Sequence, residues 1–237
     1  MANANYTNST KEELQDILQS AEDANVFIQK NYKLKNIFNW KDVPGWINDA
    51  HWIYEDMVKE SEDGDYFIEI GTYFGQSACR MGELIKQSGK NIKFDSIDSY
   101  YMIEPSMRAG YHPQQFIDYR MGPELSTKPM KDVVKIHLYK CDIYNYVNLL
   151  CIESEICHKL YKDFQLKFVY IDGSHYFEDV YRDLKNLWPK VKSGGVMAGD
   201  DIMYEDVKKA FDLFVVEENE LIEYTKINEF SFIIRKK

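Results

Sequence analysis

From Tyr66 onward, short apolar runs alternate with stretches whose apolar positions recur at helical spacing. The runs are Tyr66–Ile70, Ile92–Ile97, Val133–Tyr139, Lys167–Ile171 and Gly195–Ala198. Between and after them come the helical faces Ala78-Met81-Ile85, Val180-Leu184-Leu187 and Val207-Ala210-Phe211-Phe214. Strands buried on both faces read as near-continuous apolar runs, and crossover helices make such strands parallel. Near the C-terminus, Glu220–Tyr224 and Phe230–Ile234 flank a short turn and predict an antiparallel hairpin at the sheet edge. The pattern therefore predicts an α/β fold: a Rossmann-like, doubly wound sheet, mostly parallel, with a C-terminal antiparallel hairpin and N-terminal helices before it.

Those preceding helices are read from two segments. Leu14, Ile17, Leu18 and Ala21 share one face of a helix starting near Lys11, which Ser9 or Thr10 would cap. Trp46, Ala50, Ile53 and Met57 give Trp40–Lys59 helical spacing as well. The polar break Ser61-Glu62-Asp63-Gly64-Asp65 then separates a helical extension or lid, residues 1–60, from a core domain at 61–237.

Composition narrows the classes. A hydrophobic content of 45% supplies one large core and excludes a disordered chain. A formal net charge of -10 argues against nucleic-acid binding, where basic residues must replace phosphate counterions. No apolar stretch is long enough for a membrane span, and the polar N-terminus lacks the apolar core of a signal peptide. Cys79, Cys141, Cys151 and Cys157 form no CxxC pair and read as free thiols, which makes reducing cytoplasm the expected compartment.

The first candidate chemistry lies where Tyr66–Ile70 runs into Gly71-Thr72-Tyr73-Phe74-Gly75. Glycines at a strand-to-helix turn let the backbone bend and a ligand approach closely. The spacing is GxxxG, not the GxGxxG that cradles a dinucleotide pyrophosphate. Asp98 closes the second run and can accept both hydroxyls of a ribose. Glu69, inside a strand expected to be buried, needs a partner. The ammonium of S-adenosylmethionine would be one, and hydrogen bonds within the protein are the alternative. Asp142, taken to follow the third strand, is placed to meet an adenine amino group or to cap a helix.

The second constellation is Asp172-Gly173-Ser174-His175 together with Gly199-Asp200-Asp201. Asp172, Asp200 and Asp201 stand at the carboxyl ends of neighbouring predicted strands, the edge where open α/β sheets bind ligands. Gathered carboxylates repel unless protonated or shared by a cation, and hard oxygen ligands suit Mg²⁺ or another divalent ion. His175, just before a helix, could take a proton from an alcohol, Asp172 being its neighbour in the catalytic group. Helix capping is the structural alternative for the paired aspartates.

Together, Phe67-Ile-Glu-Ile-Gly-Thr-Tyr-Phe-Gly75, Ser96-Ile-Asp98, Tyr170-Ile-Asp-Gly-Ser-His175 and Gly194-Gly-Val-Met-Ala-Gly-Asp-Asp201 carry a resemblance. The stretch from about Gly45 to Phe214 resembles the metal-dependent class I O-methyltransferases of the macrocin type and the cephalosporin hydroxylase-like proteins. The resemblance implies a seven-stranded sheet and homo-oligomers. It also implies contacts from Glu69, Gly71 and Asp98 to S-adenosylmethionine, Mg²⁺ on Asp172, Asp200 and Asp201, and His175 as general base. Many sugar methyltransferases of this group have Glu-Asp where this chain has Asp200-Asp201. The expected reaction is methyl transfer to a hydroxyl of a small molecule, a sugar diol or a catechol. Alternatives are a non-catalytic module that binds the same cofactor and a nicotinamide-dependent oxidoreductase. Tyr100, Tyr101, Met107, Arg108, Tyr111 and His112 sit in the long connection Tyr100–Lys131, a candidate acceptor pocket.

Overall fold

A computed structural model describes residues 39–47, 50–100 and 130–237. The expected helix from Lys11 lies outside these residues, as do Tyr101, Met107, Arg108, Tyr111 and His112 of the candidate acceptor pocket. The strands are β1 (Tyr66–Ile70), β2 (Lys93–Asp98), β3 (Asn148–Cys151), β4 (Leu166–Ile171), β5 (Val191–Gly199), β6 (Ile222–Ile227) and β7 (Phe232–Lys236). They form one seven-stranded sheet in the order β3-β2-β1-β4-β5-β7-β6. The first five pair in parallel, and β7 runs antiparallel to both β5 and β6. Both the doubly wound core and the closing hairpin are thus as the pattern predicts.

The winding direction reverses between β1 and β4, and such a switch point opens a crevice at the carboxyl edge. Register decides what stands there. Ile70 pairs with Ile97 on one side and with Ile171 on the other, and Ile171 pairs with Gly199. The next residue on each strand is Gly71, Asp98, Asp172 or Asp200, so these stand level along one rim.

Among the described residues, five helices of ten residues or more flank the sheet: α1 (His51–Glu60), α2 (Gln76–Ser88), α3 (Met130–Lys140), α4 (Phe177–Leu187) and α5 (Glu205–Glu218). Side chains alternate across each strand, so every strand feeds two cores. Phe67, Phe94, Phe168 and Tyr170 pack with α1, α2 and α3 through Tyr54, Met81, Ile85 and Leu138. Ile68, Ile97, Val169 and Met197 pack on the opposite face with Leu184, Leu187, Phe211 and Phe214 from α4 and α5. Tyr54 stands edge-on to Tyr170, with centroids 4.9 Å apart, and to Phe168 at 5.7 Å. Edge-to-face contact is a favoured arrangement for aromatic rings.

Two expectations are corrected. Val133–Tyr139 is not a strand: it lies within α3, while the third strand is Asn148–Cys151. The run misleads because Val133, Val134, Ile136, His137 and Leu138 are all buried, and a buried helix segment has the same apolar continuity as a buried strand. The true third strand is an edge of four residues, half exposed, and its apolar run Leu149–Ile152 is shorter than the one in α3. The second correction concerns Trp40–Lys59, which is not one helix. A 3-10 turn spans Trp40–Asp42 and α1 begins only at His51, after the Pro44-Gly45 break. Trp46 is 57% exposed rather than on a buried face.

The buried carboxylate of Asp95 ties the β3 edge to the rest. It accepts from Tyr66 Oη at 2.6 Å, Tyr161 Oη at 2.8 Å and Asn148 Nδ2 at 3.0 Å. Three donors on one carboxylate offset much of its desolvation.

Gly71 lies at φ 95°, and a Cβ there would stand 1.8 Å from the Asp172 carbonyl oxygen. Gly89 also has positive φ, 67°, but open space around it. Gly89→Ala should therefore lose about 1–2 kcal/mol, the left-handed penalty alone. Gly71→Ala should lose about 3 kcal/mol or more, because strain and overlap add. Denaturant melts of the two variants against the parent measure the difference.

Candidate active site

The turn after β1 is wired to the end of β2. Asp98 Oδ2 accepts from the backbone amides of Thr72 at 3.0 Å and Tyr73 at 2.9 Å, and Oδ1 accepts from Tyr100 N at 2.7 Å. A carboxylate offers about four lone-pair positions, so Asp98 orders the turn and keeps capacity for a further donor. Gly75, at φ 86°, is the N-cap of α2, and its amide donates to Thr72 O at 2.7 Å. Gly71, Thr72, Tyr73 and Gly75 thus form one short loop beside Asp98.

Glu69 is buried, 1% exposed, and its partners come from the protein. Tyr54 Oη donates to Oε2 at 2.8 Å, while Oε1 accepts from Ser96 at 2.6 Å and Ser77 at 3.3 Å. Ser96 Oγ also meets Thr72 Oγ1 at 2.6 Å. Burial raises the Glu69 pKa to about 7, against the lowering effect of the three hydroxyls, with Asp98 adding repulsion. Neutral hydroxyls orient the carboxylate but do not cancel its charge. Of the two partners the sequence allows for Glu69, protein hydrogen bonds are the ones the fold supplies.

Across the switch point stand the acids and the histidine. Asp172 N donates to Ile70 O at 2.8 Å, which locks the two loops together. The Asp172 side chain is held well above the usual carboxylate range by burial first, then by Asp200, Asp201 and Glu69. Asp200 Oδ1 accepts from Ser231 Oγ at 3.0 Å. Asp201, with φ 62°, places Oδ2 2.6 Å from His175 Nε2. The imidazole stacks on Tyr204, centroids 4.7 Å apart and planes 13° off parallel. A cavity is lined by Asp172, Gly173, Ser174, His175, Asp200 and Asp201, with Ile171, Val180, Val207 and Phe232 completing its wall. Neither aspartate caps the following helix, whose N-cap is Tyr204.

The donor chemistry of this cluster fits a hard divalent cation, since Asp172 experiences repulsion from both other carboxylates. As the side chains lie, Asp201 is turned to His175 and Asp200 to Ser231. No three acidic, histidine or cysteine side chains among the described residues converge on a common ion position.

Asp142 requires correction. It follows α3 rather than a strand, and its carboxylate pairs with Lys86 Nζ at 2.5 Å. Lys86 is in the last turn of α2, the end away from the glycine loop, and the Asp142 side chain is 92% exposed. The misassigned strand put it on the rim; the fold removes it.

Several participants escaped sequence reading. Tyr54 and Ser77 reach Glu69 from helices, and their hydroxyls have no motif around them. Tyr170 Oη is buried without a hydrogen-bond partner among the described residues, and its ionisation is suppressed by burial and by Asp172, Asp200 and Glu69. The alternation of β4 would have found it, because Tyr170 and Asp172 must share a face. Gln76 donates through Nε2 to Val43 O at 2.9 Å and accepts through Oε1 from Ile47 N at 3.1 Å. Nothing in the sequence pairs it with that segment.

Comparison with known proteins agrees with this geometry. The family described as a methyltransferase domain matches residues 68–202. Among solved structures, the O-methyltransferase NovP aligns with a TM-score of 0.60 at 17% identity, covering 97% of this chain and all of its own. A SAM-dependent O-methyltransferase from Thermotoga maritima gives 0.55 at 11% identity, over 88% of this chain and 69% of that one. An O-methyltransferase from Bacillus cereus in complex with SAH gives 0.52 at 11% identity, over 96% and 92%. The fold is shared across these proteins, and the family match spans the glycine loop, Asp98, Asp172, His175 and both rim aspartates. The chain belongs to the methyltransferase-domain family and is an S-adenosylmethionine-dependent methyltransferase of class I fold.

Proposed function

We propose that the protein transfers the methyl group of S-adenosylmethionine to a hydroxyl oxygen of a small molecule, a sugar diol or a catechol-like ring. The observation that carries this reading is the shared rim. Ile70 pairs with both Ile97 and Ile171, so the glycine loop and Asp98 stand beside Asp172 and the His175–Asp201 pair. The cofactor lies on the loop Gly71–Gly75, with Asp98 taking ribose hydroxyls and the methionine ammonium near Glu69. The acceptor enters from the side of His175.

With Nε2–H donated to Asp201, His175 Nδ1 keeps a lone pair for the acceptor's proton. Asp201 and the stacked Tyr204 fix the ring, so the base is oriented before the acceptor arrives. Holding the oxygen in line with the methyl group replaces an encounter in solution by a positioned reaction. Asp172, Asp200 and Asp201 would hold a Mg²⁺ ion, which supplies Lewis acidity that lowers the pKa of the acceptor hydroxyl when bound. Asp201 can serve both roles because it has two oxygens.

Incubating the protein with methyl-labelled S-adenosylmethionine and a panel of vicinal diols and catechols, with and without Mg²⁺, tests the reaction. Label in the acceptor is the expected outcome. Cofactor binding without transfer to any of them would instead favour a non-catalytic module. Once an acceptor is found, His175→Ala should keep cofactor affinity within a few-fold by calorimetry. Its kcat should fall by about 10²- to 10⁴-fold, the usual contribution of a positioned base.

Glu69 gives a second prediction. Its folded pKa of about 7 lies above the ordinary value of 4.5, so the folded state binds this proton more tightly than the unfolded chain. The stability it contributes is complete below about pH 4.5 and is lost as pH rises through about 7. Glu69→Gln cannot ionise, so its melting temperature should gain on the parent's between those values and then level off. Parallel slopes of the two melting curves against pH would refute the assignment.

A further inference from the structure

The segment Asn39–Ile47 lies outside the family-matched residues and is built unlike a tail. Trp40, Val43 and Ile47 are all buried at 6% exposure or less. The guanidinium of Arg80 sits 5.1 Å over the Trp40 ring. Gln76, itself buried, bonds the backbone on both sides of Gly45, and a Cβ at Gly45 would stand 2.5 Å from Gln76 Cβ. The strap is therefore clamped onto the first residue of α2, immediately after the glycine loop. Against this background Trp46 stands out. Its indole is 57% exposed, and it is not adrift: it rests on Tyr73, centroids 5.2 Å apart and planes 30° off parallel. Tyr73 is one of the two loop residues whose amides donate to Asp98.

Held by its contact with Tyr73, this indole borders the site where the proposed function lays the cofactor. We propose that Trp46, with Tyr73, forms an aromatic wall of the cofactor site that recognises the positively charged sulfonium. The inference rests on the methyltransferase reading and deepens it. The face of an indole is the best cation–π acceptor among side chains. A wall of this kind attracts the charged methyl donor and has less hold on the neutral thioether left after transfer, so it favours substrate over product. The Gln76 clamp keeps the wall in place, which spares ordering on binding.

Calorimetry on the full chain tests this with S-adenosylmethionine and S-adenosylhomocysteine as probes. For Trp46→Ala the expected result is about tenfold weaker binding of the sulfonium compound, within the range of a desolvated cation–π contact. The thioether should lose no more than about threefold by the same reasoning. Trp46→Phe should restore most of the difference. A melting temperature matching the parent's would show that the substitution leaves the fold intact. Equal losses for both ligands, or affinities unchanged in Trp46→Ala, would overturn the inference while leaving the cofactor reading standing. No binding of either ligand by the parent chain would overturn both.

Discussion

The close approach of two loops at the switch point organises this protein. The backbone after β1 passes so near the backbone after β4 that only a hydrogen atom fits at Gly71, and Asp172 N bonds back to Ile70 O. That contact joins the glycine loop after β1 to the loop that carries acids and a histidine. Without it Asp98 and the glycine loop would not stand beside Asp172, His175 and Asp201.

The same crowding concentrates negative charge. Glu69, Asp98, Asp172, Asp200 and Asp201 stand along one carboxyl edge, and desolvation together with mutual repulsion makes Glu69 and Asp172 hold their protons more tightly than free carboxyls. Asp95, on the opposite face of the sheet, shows the contrast. It too is buried and receives three donors, but they tie β2 to β1, β3 and the residues before β4. One buried acid fastens the fold, whereas the rim acids leave electrostatic demand for cationic ligands. A charged sulfonium, an ammonium and a divalent ion are the kinds of group that would meet it.

Helical layers set the limits of that rim. Tyr54 from α1 reaches Glu69 across the core, and Gln76 at the head of α2 grips the strap that presents Trp46. α1 is thus an integral part of the packing: it supplies aromatic contact to the sheet and a hydroxyl for the buried Glu69.

Alternation of apolar runs and helical faces was enough to determine the fold class, the parallel core and the closing hairpin, since burial on both faces leaves a direct mark on composition. Motif spacing singled out Gly71, Asp98, Asp172, His175, Asp200 and Asp201, and strand register sets four of them level along one rim. The reading of apolar runs failed at Val133–Tyr139, where a buried helix wears the run of a strand, and that error carried Asp142 to a rim it does not reach. Tertiary structure alone decided what those residues touch: hydroxyls around Glu69, Asp201 on His175, Ser231 on Asp200, a clamp on the strap. Such partners lie up to 31 residues apart in the rim pairs and come from separate elements. No local pattern encodes them, because side-chain hydrogen bonds are selected by packing and register, which exist only once the sheet has closed.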